Sequence, residues 1–331
     1  MPWNRPLIII VLVLLLALTW WRLPSSDPEV RRSQLAMGTV VEIVAGGLAN
    51  ERLEKAVSAA FTEIARLDRL LSRYQPESDV SRLSAPVTEV RVAPETAEVI
   101  ALGLDVARRS QGAFDLTLGR LKGLWAFEED TPRIPDRAAI REALDGIGPG
   151  ALTLSGQLVR KRAPSLMVDL GGIAKGYIVD RAAQLLRDLG VSYGAVNAGG
   201  DMMLIGQPPE RPWRIGIQDP RAKGSVVATV QVSNRAVVTS GDYERFFLRD
   251  GQRYHHIFDP KSGIPARLCQ SVTVITDSVA LGDALATAIF VLGPQAGLDL
   301  LADYPHSEAL IIAADGSHHA SPGWAASVVS P

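Results

Sequence analysis

Along residues 50–71 the apolar side chains Leu53, Val57, Ala60, Phe61, Ile64, Leu67 and Leu71 recur at steps of three and four, with charged residues between them. This stripe predicts an amphipathic helix, with Asn50 placed to cap it. A second helix is predicted from Pro94, a residue favoured in a first turn, through Val99, Leu102 and Val106. Residues 136–144 read as a shorter helix, and 174–189 and 280–292 as two more. Elsewhere the period falls to two. Residues 37–44 alternate like a strand, and two hairpins are predicted: 152–154 with 158–160 about Ser155-Gly156, and 246–248 with 254–257 about Asp250-Gly251. Helices interleaved with antiparallel hairpins predict an α+β fold rather than a regular doubly wound sheet. No tandem repeat, low-complexity tract or Pro/Gly-rich linker interrupts residues 33–331, so a single compact catalytic domain is expected there.

The first 22 residues break this pattern. A single charge, Arg5, precedes an apolar run from Leu7 to Trp21, and Arg22 closes it. The segment reads as a signal peptide or membrane anchor, with Trp20 and Trp21 where an interfacial belt would lie. No clear small-x-small cleavage site follows Ala17, which favours an uncleaved anchor and a body that is inner-membrane anchored or periplasmic. Residues 23–32 read as a linker.

Charge and composition narrow the function classes. Lys and Arg total 34 against 36 Asp and Glu, so no basic field draws in a phosphate polymer, and nucleic acid is not an expected partner. Cys269 is the only cysteine, which rules out an intrachain disulfide and a thiolate metal cluster. The five histidines form no HExxH pattern, which disfavours a zinc hydrolase.

Candidate chemistry gathers at strand ends, where loops carry function. Residues 167–177, MVDLGGIAKGY, run from an apolar strand into a helix. Their glycines allow backbone amides to approach a phosphate at a helix N-terminus, and Lys175 would neutralise it; a tight strand-to-helix turn explains the glycines equally well. In 283–287, DALAT, the four-residue step puts Asp283 and Thr287 on one helical face. Oxygen ligands of this kind suit Mg²⁺, while the alternative is a carboxylate complementing a helix dipole and a threonine bonded back to its own helix. In 254–260, YHHIFDP, strand alternation sends His255 and His256 to opposite sides. One of them is a candidate base or, more commonly, a structural histidine. The polar groups at 114–117, 197–201 and 239–243 could each be ordinary turns.

Taken in order, MGT at 37–39, LSRY at 71–74, SRL at 81–83, GAFDLT at 112–117, residues 168–177 with Asp180, VNAGGD at 196–201, TSGDY at 239–243, HIFDP at 256–260 and DALAT resemble the ApbE family, the FAD:protein FMN transferases. The match covers about residues 37–293. The resemblance implies an ApbE-like, T-fold-like arrangement of mixed sheets with packed helices. It also implies Mg²⁺ held by the side chains of Asp283 and Thr287 and by main-chain oxygens near Gly172 and Ala286. FAD, the substrate, would be contacted by Met37, Tyr74, Ala113, Phe114, Asp115, Asp169, Lys175 and Ile257. The implied reaction is attack by a Thr or Ser hydroxyl of a target flavoprotein, a membrane redox-complex subunit, on the FMN-side phosphorus of FAD, with release of AMP. His256 is then the candidate base, with His255 second, and Asp169 holds the flavin or adenine or orients the metal loop. An FAD pyrophosphatase and a non-catalytic FAD binder are the alternative readings. Two departures stand out: no lipoprotein cysteine follows the apolar run, and Arg120 stands where relatives often have proline.

Overall fold

The computed structural model describes residues 28–125, 127, 133–209 and 211–329. The predicted N-terminal anchor lies outside them, and among the described residues no helix is long and apolar enough to cross a membrane. The described chain opens on a hairpin, β1 (Glu29–Ala36) and β2 (Thr39–Gly46), paired in register from Glu29 opposite Gly46 to Ala36 opposite Thr39. Its two-residue turn, Met37-Gly38, has φ of 52° and 70°. Both values lie in the left-handed region that a primed turn needs to match the twist of its strands. Met37 is thus a turn residue and not the first strand residue. Residues 29–32, expected in the linker, are paired strand: Val30 is buried, and Arg31 and Arg32 pair with Glu42 and Glu54.

Helix α1 (Asn50–Leu71) buries the predicted stripe, but Asn50 is its first helical residue and Ala49 holds the cap position without a side-chain bond. Two short elements, α2 (Asp79–Ser84) and β3 (Glu89–Arg91), lead into α3 (Pro94–Arg109). Next come α4 (Gly119–Trp125) and α5 (Arg137–Leu144), the latter capped by Asp136 accepting from Ala139 N at 2.8 Å. The predicted hairpin follows as β4 (Leu152–Ser155) and β5 (Leu158–Lys161), which pair with β3 in a three-stranded sheet. After α6 (Ala174–Asp188) the chain enters β6 (Tyr193–Ala198) and β7 (Asp201–Ile205).

The main sheet has eight strands. From β1 and β2 it continues through β6, β7, β10 (Ala236–Gly241), β13 (Cys269–Thr276), β14 (Glu308–Ala313) and β15 (His318–Ala320), with antiparallel neighbours. Alternation along its central strands divides the core in two. Val238 and Val274 face the helical layer of α1, α6, α7 (Val279–Leu292) and α8 (Pro294–Leu301). Val237 and Ile275 face the second three-stranded sheet, β8 (Arg214–Gln218), β9 (Val226–Gln231) and β16 (Val328–Val329). Covered on both sides, β13 is buried at every position, its polar residues Gln270, Ser271, Thr273 and Thr276 included. The remaining hairpin, β11 (Phe246–Arg249) and β12 (Gln252–His255), turns at Asp250-Gly251 as predicted. With α4 and α5 it encloses a small aromatic core around Trp125 and Phe258.

Candidate functional site

The site begins where α6 meets α7. A Cβ built on Gly176 would lie 2.5 Å from Val279 O, so glycine is required for the two backbones to touch. One turn along α6, the carboxylate of Asp180 accepts from Ser278 Oγ at 2.7 Å, Val279 N at 2.8 Å and Ala280 N at 3.0 Å. This carboxylate satisfies the orphan amides of α7 from a neighbouring helix. Burial nevertheless pushes its own pKa up.

With its first turn held, α7 aims Asp283 into the protein. Gly176 N is directed at the carboxylate, while its Oδ2 is buried and accepts no hydrogen bond. Thr287 follows on the same face. Its hydroxyl lies 3.5 Å from Ser240 Oγ, and a Cβ on Gly172 would stand 3.5 Å from it. The loop at Gly172 and the Asp283–Thr287 face, far apart in sequence, are therefore adjacent. Ala286, on the same turn, is wholly buried.

Charges around this junction fall into two sets. In the first, Lys175 pairs with Asp201, whose other oxygen accepts from Thr239 N at 3.3 Å. Burial and the neighbouring Asp201 push the pKa of Asp283 up, against the pull of Lys175 and Lys122. Burial works against the charge of Lys175, but Asp201 and Asp283 outweigh it and keep the ammonium protonated. In the second set, Asp169 receives Lys122 on Oδ1 and Arg73 on Oδ2, the latter at 3.1 Å, while Gly171 N donates to Oδ1 at 2.9 Å. Burial would raise the pKa of Asp169, yet the two cations and the amide hold it below the usual range.

The other predicted residues lie on neighbouring segments, some buried and some exposed. Phe114 is buried with its ring edge 3.3 Å from the Cβ position of Gly172, and Ala113 is buried beside it. Asp115 Oδ1 accepts from Thr117 N at 2.7 Å and Thr117 Oγ1 at 2.6 Å, while the buried Oδ2 accepts no hydrogen bond of normal geometry. Burial pushes this carboxyl's pKa up. Arg73 lies over the exposed ring of Tyr74, 5.5 Å from its centroid, which puts Tyr74 at the rim. Met37 N donates to Asp68 Oδ2 at 3.1 Å, and the Cβ position of Gly38 is 3.9 Å from Arg245.

The two histidines separate as alternation requires. His255 is buried, its Nε2 2.8 Å from Ala266 O, its Nδ1 accepting from Ile257 N at 3.3 Å, and its ring edge-on to Phe290. These contacts make it structural. His256 turns to the other side, with Nδ1 3.4 Å from Arg245 O. Part of its surface meets solvent, but burial first, and then the charges of Lys122 and Arg245, push its pKa down to about 3. Its imidazole is neutral at physiological pH. Ile257 is buried beside it.

Three participants carry no role in the motifs. Arg73 and Asp201 fall within LSRY and VNAGGD, and Lys122 within the segment of Arg120, but no spacing marks them as partners of Asp169 or Lys175. Conversely, the acidic groups of the other polar clusters are structural. Asp242 holds Arg221 through two bonds of 2.7 Å, and Asp259 closes the turn at Lys261 and Ser262.

A model of the ApbE family matches residues 37–311 of this sequence, the span that contains both charge sets and both histidines. The chain belongs to the ApbE family. It is 33% identical over 306 residues to an FAD:protein FMN transferase of Rhodobacter capsulatus, an alignment covering 91% of this chain and 58% of that protein. It is also 33% identical over 320 residues to the FAD:protein FMN transferase of Treponema pallidum, covering 89% of this chain and 87% of the relative. Solved structures of the family share the fold. The ApbE protein of Thermotoga maritima superposes with a TM-score of 0.84 at 34% identity, over 92% of this chain and all of the other. The flavin transferase ApbE of Vibrio cholerae superposes at 0.80 and 29% identity, over 91% of this chain and 99% of its own.

Proposed function

We propose that this ApbE-family protein is a magnesium-dependent FAD:protein FMN transferase. It joins FMN through a phosphoester to a Thr or Ser hydroxyl of a target flavoprotein and releases AMP. The observation that carries the reading is the buried, unpartnered oxygen of Asp283 beside Thr287 and Gly172. An oxygen-only donor set with a surplus of negative charge fits a hard cation, and Mg²⁺ needs only one or two protein carboxylates. Asp283, Thr287 and main-chain oxygens near Gly172 and Ala286 would hold it. When bound, it supplies charge neutralisation at the diphosphate of FAD.

The remaining work belongs to this chain's side chains. Met37 and Tyr74 offer accessible apolar surface to the ring systems, the buried Ala113, Phe114 and Ile257 support it from below, and the free oxygen of Asp115 offers an acceptor to a ring N–H. The acceptor hydroxyl loses its proton to His256 as its oxygen bonds to the FMN-side phosphorus. The bond from that phosphorus to the bridging oxygen breaks, and the oxygen leaves with AMP. His256 begins in the neutral form a base requires. Its basicity rises when the substrate's negative charge offsets Lys122 and Arg245, which brings it toward the range where proton transfer is efficient. Asp169, ionised and fully bonded, holds cations and does not take the proton.

The test is incubation with FAD, Mg²⁺ and a flavoprotein domain bearing an acceptor Thr or Ser, followed by intact-mass measurement. An FMN-sized increment on the target, lost when the acceptor is changed to Ala, is expected. Free FMN with an unmodified target would overturn the transferase reading in favour of hydrolysis, and bound but intact FAD would leave only a binder. We also propose that residues 1–22 anchor the protein with its site outside the cytoplasmic membrane. Recovery of the full chain in the soluble fraction after cell lysis would reject the anchor.

A further inference from the structure

Lys122 has no assigned role in the motifs that led to the site, yet its helix is bonded to two of the site's segments. Helix α4, which carries it, is pinned at both ends: Gly119 N donates to Met167 O at 3.1 Å, and Trp125 Nε1 donates to Gly263 O at 3.0 Å. These anchors adjoin Asp169 on one side and the His256 loop on the other, so α4 spans the two. The fully buried Trp125 locks the helix into the aromatic core. From this support the Lys122 ammonium reaches Asp169 and rests against the metal loop, 3.0 Å from the Cβ position of Gly171. A Cβ at Gly171 would crowd it.

An ammonium has three donors. Among the described residues one is bonded, to Asp169, and the side chain keeps 28% of its surface open. The same carboxylate also carries Arg73. One buried carboxylate against two cations leaves a positive charge over, on a rigid mount beside the glycine loop. After burial, the charge of Lys122 is also the largest of the causes that lower the pKa of His256. A surplus cation on a rigid mount against the glycine loop, on a helix also bonded to the loop after His256, is positioned for an anion lodged there.

We infer that Lys122, propped by Asp169 against Gly171, is a phosphate-binding residue that donates hydrogen bonds to the flavin-side phosphate of FAD, the phosphate next to His256. This rests on the transferase reading for the identity of the ligand, and it divides the labour between the two lysines. Lys122 serves the phosphate that accepts the incoming hydroxyl. Lys175, bonded to Asp201 beside Asp283, serves the metal side.

Flavin fluorescence quenching in buffer containing EDTA tests this without turnover or metal, using FAD, FMN and riboflavin as probes. Lys122→Met should weaken FAD and FMN about ten- to a hundredfold, the range of a charged hydrogen bond, and leave riboflavin unchanged. Lys122→Arg should restore most of the difference. Lys122→Gln keeps a hydrogen-bond donor for Asp169 while deleting the charge, so it separates phosphate binding from folding; it should show the same selective loss. Equal loss of riboflavin, or no selective loss of FMN in either variant, would overturn the assignment. Should the protein bind these ligands as expected and yet transfer no FMN, the transferase reading fails and the phosphate contact stands.

Discussion

At Asp169 a single buried carboxylate answers two cations, Arg73 and Lys122, whereas at the α6–α7 junction two carboxylates, Asp201 and Asp283, share the ammonium of Lys175. Both Asp169 and Asp283 are deeply buried, and burial alone would raise the pKa of each. They move in opposite directions, Asp169 down and Asp283 up. Partner charge decides the sign, not depth. The surplus is positive beside Lys122 and negative beside Asp283. The proposed metal-bound diphosphate would offset both at once.

Removing the negative surplus is the most severe way to break this comparison. Asp283→Asn keeps the shape and deletes the charge, and the loss of several kcal/mol of charge stabilisation should lower transfer by about 10³-fold or more. The metal-free variant should melt higher than wild type at pH 8. A carboxyl whose folded pKa lies above its unfolded value costs nothing below the unfolded pKa, and its cost grows as pH rises toward the folded one. Calorimetric titration with Mg²⁺ and melting curves check the two halves. Undiminished Mg²⁺ affinity would mean that the cation sits elsewhere.

His256 lies nearer the positive set, and burial first, then the charges of Lys122 and Arg245, explain its low pKa. His256→Gln should cost about 10²- to 10⁴-fold in transfer while FAD still binds. Because the free protein holds this imidazole neutral down to about pH 3, its kcat/KM profile should show no histidine inflection near pH 6.5. An inflection there that vanishes in the glutamine variant would place Lys122 and Arg245 farther from the ring. His255→Gln, by contrast, should act on stability. A histidine whose folded pKa is depressed loses stability as pH falls below its unfolded value.

Asp169→Ala tests the positive set from its anionic centre. Breaking a buried ion pair costs about 3–5 kcal/mol, and because Arg73 and Lys122 reach partly into solvent, about 2–3 kcal/mol is expected in urea unfolding at pH 7. The sign with pH is opposite to that at Asp283. A depressed carboxyl stabilises above its unfolded pKa, near 4, and this stabilisation fades as pH falls through the folded value. The difference between wild type and Asp169→Ala should therefore shrink in acid.

Much of the scaffold was legible because it is periodic. The stripe of α1, the turn at Asp250-Gly251 and the shared face of Asp283 and Thr287 each follow from local spacing, and the α+β class follows from their order. Met37 was misread as strand because an apolar residue fits the alternation, while its left-handed backbone depends on the β1–β2 pairing across it. The charge sets were harder still. Their six members come from five segments of the chain, only Asp169 and Lys175 sharing one, and a lysine on a seven-residue helix reads as a solvated surface group until Trp125 and Gly119 fix where that helix lies. The histidine pair was half legible: alternation said that one points inward, and the contacts to Ala266 and Phe290 say that it is His255.

The mildest change sharpens the comparison from a distance. Asp180 touches neither charge set directly in its hydrogen bonds; it caps α7 through Ser278, Val279 and Ala280 and so sets where Asp283 points. Asp180→Ala removes that cap at a cost of about 1–2 kcal/mol, comparable with a strong N-cap. If the negative surplus depends on that register, apparent Mg²⁺ affinity should fall several-fold while FMN binding in EDTA, a property of the Lys122 side, stays at the wild-type level. Asp180→Asn, which retains an acceptor for one of the three donors, should recover part of the stability. Equal losses on the metal and phosphate sides would show that α7 supports the whole cavity and that the two sets are not separable through it.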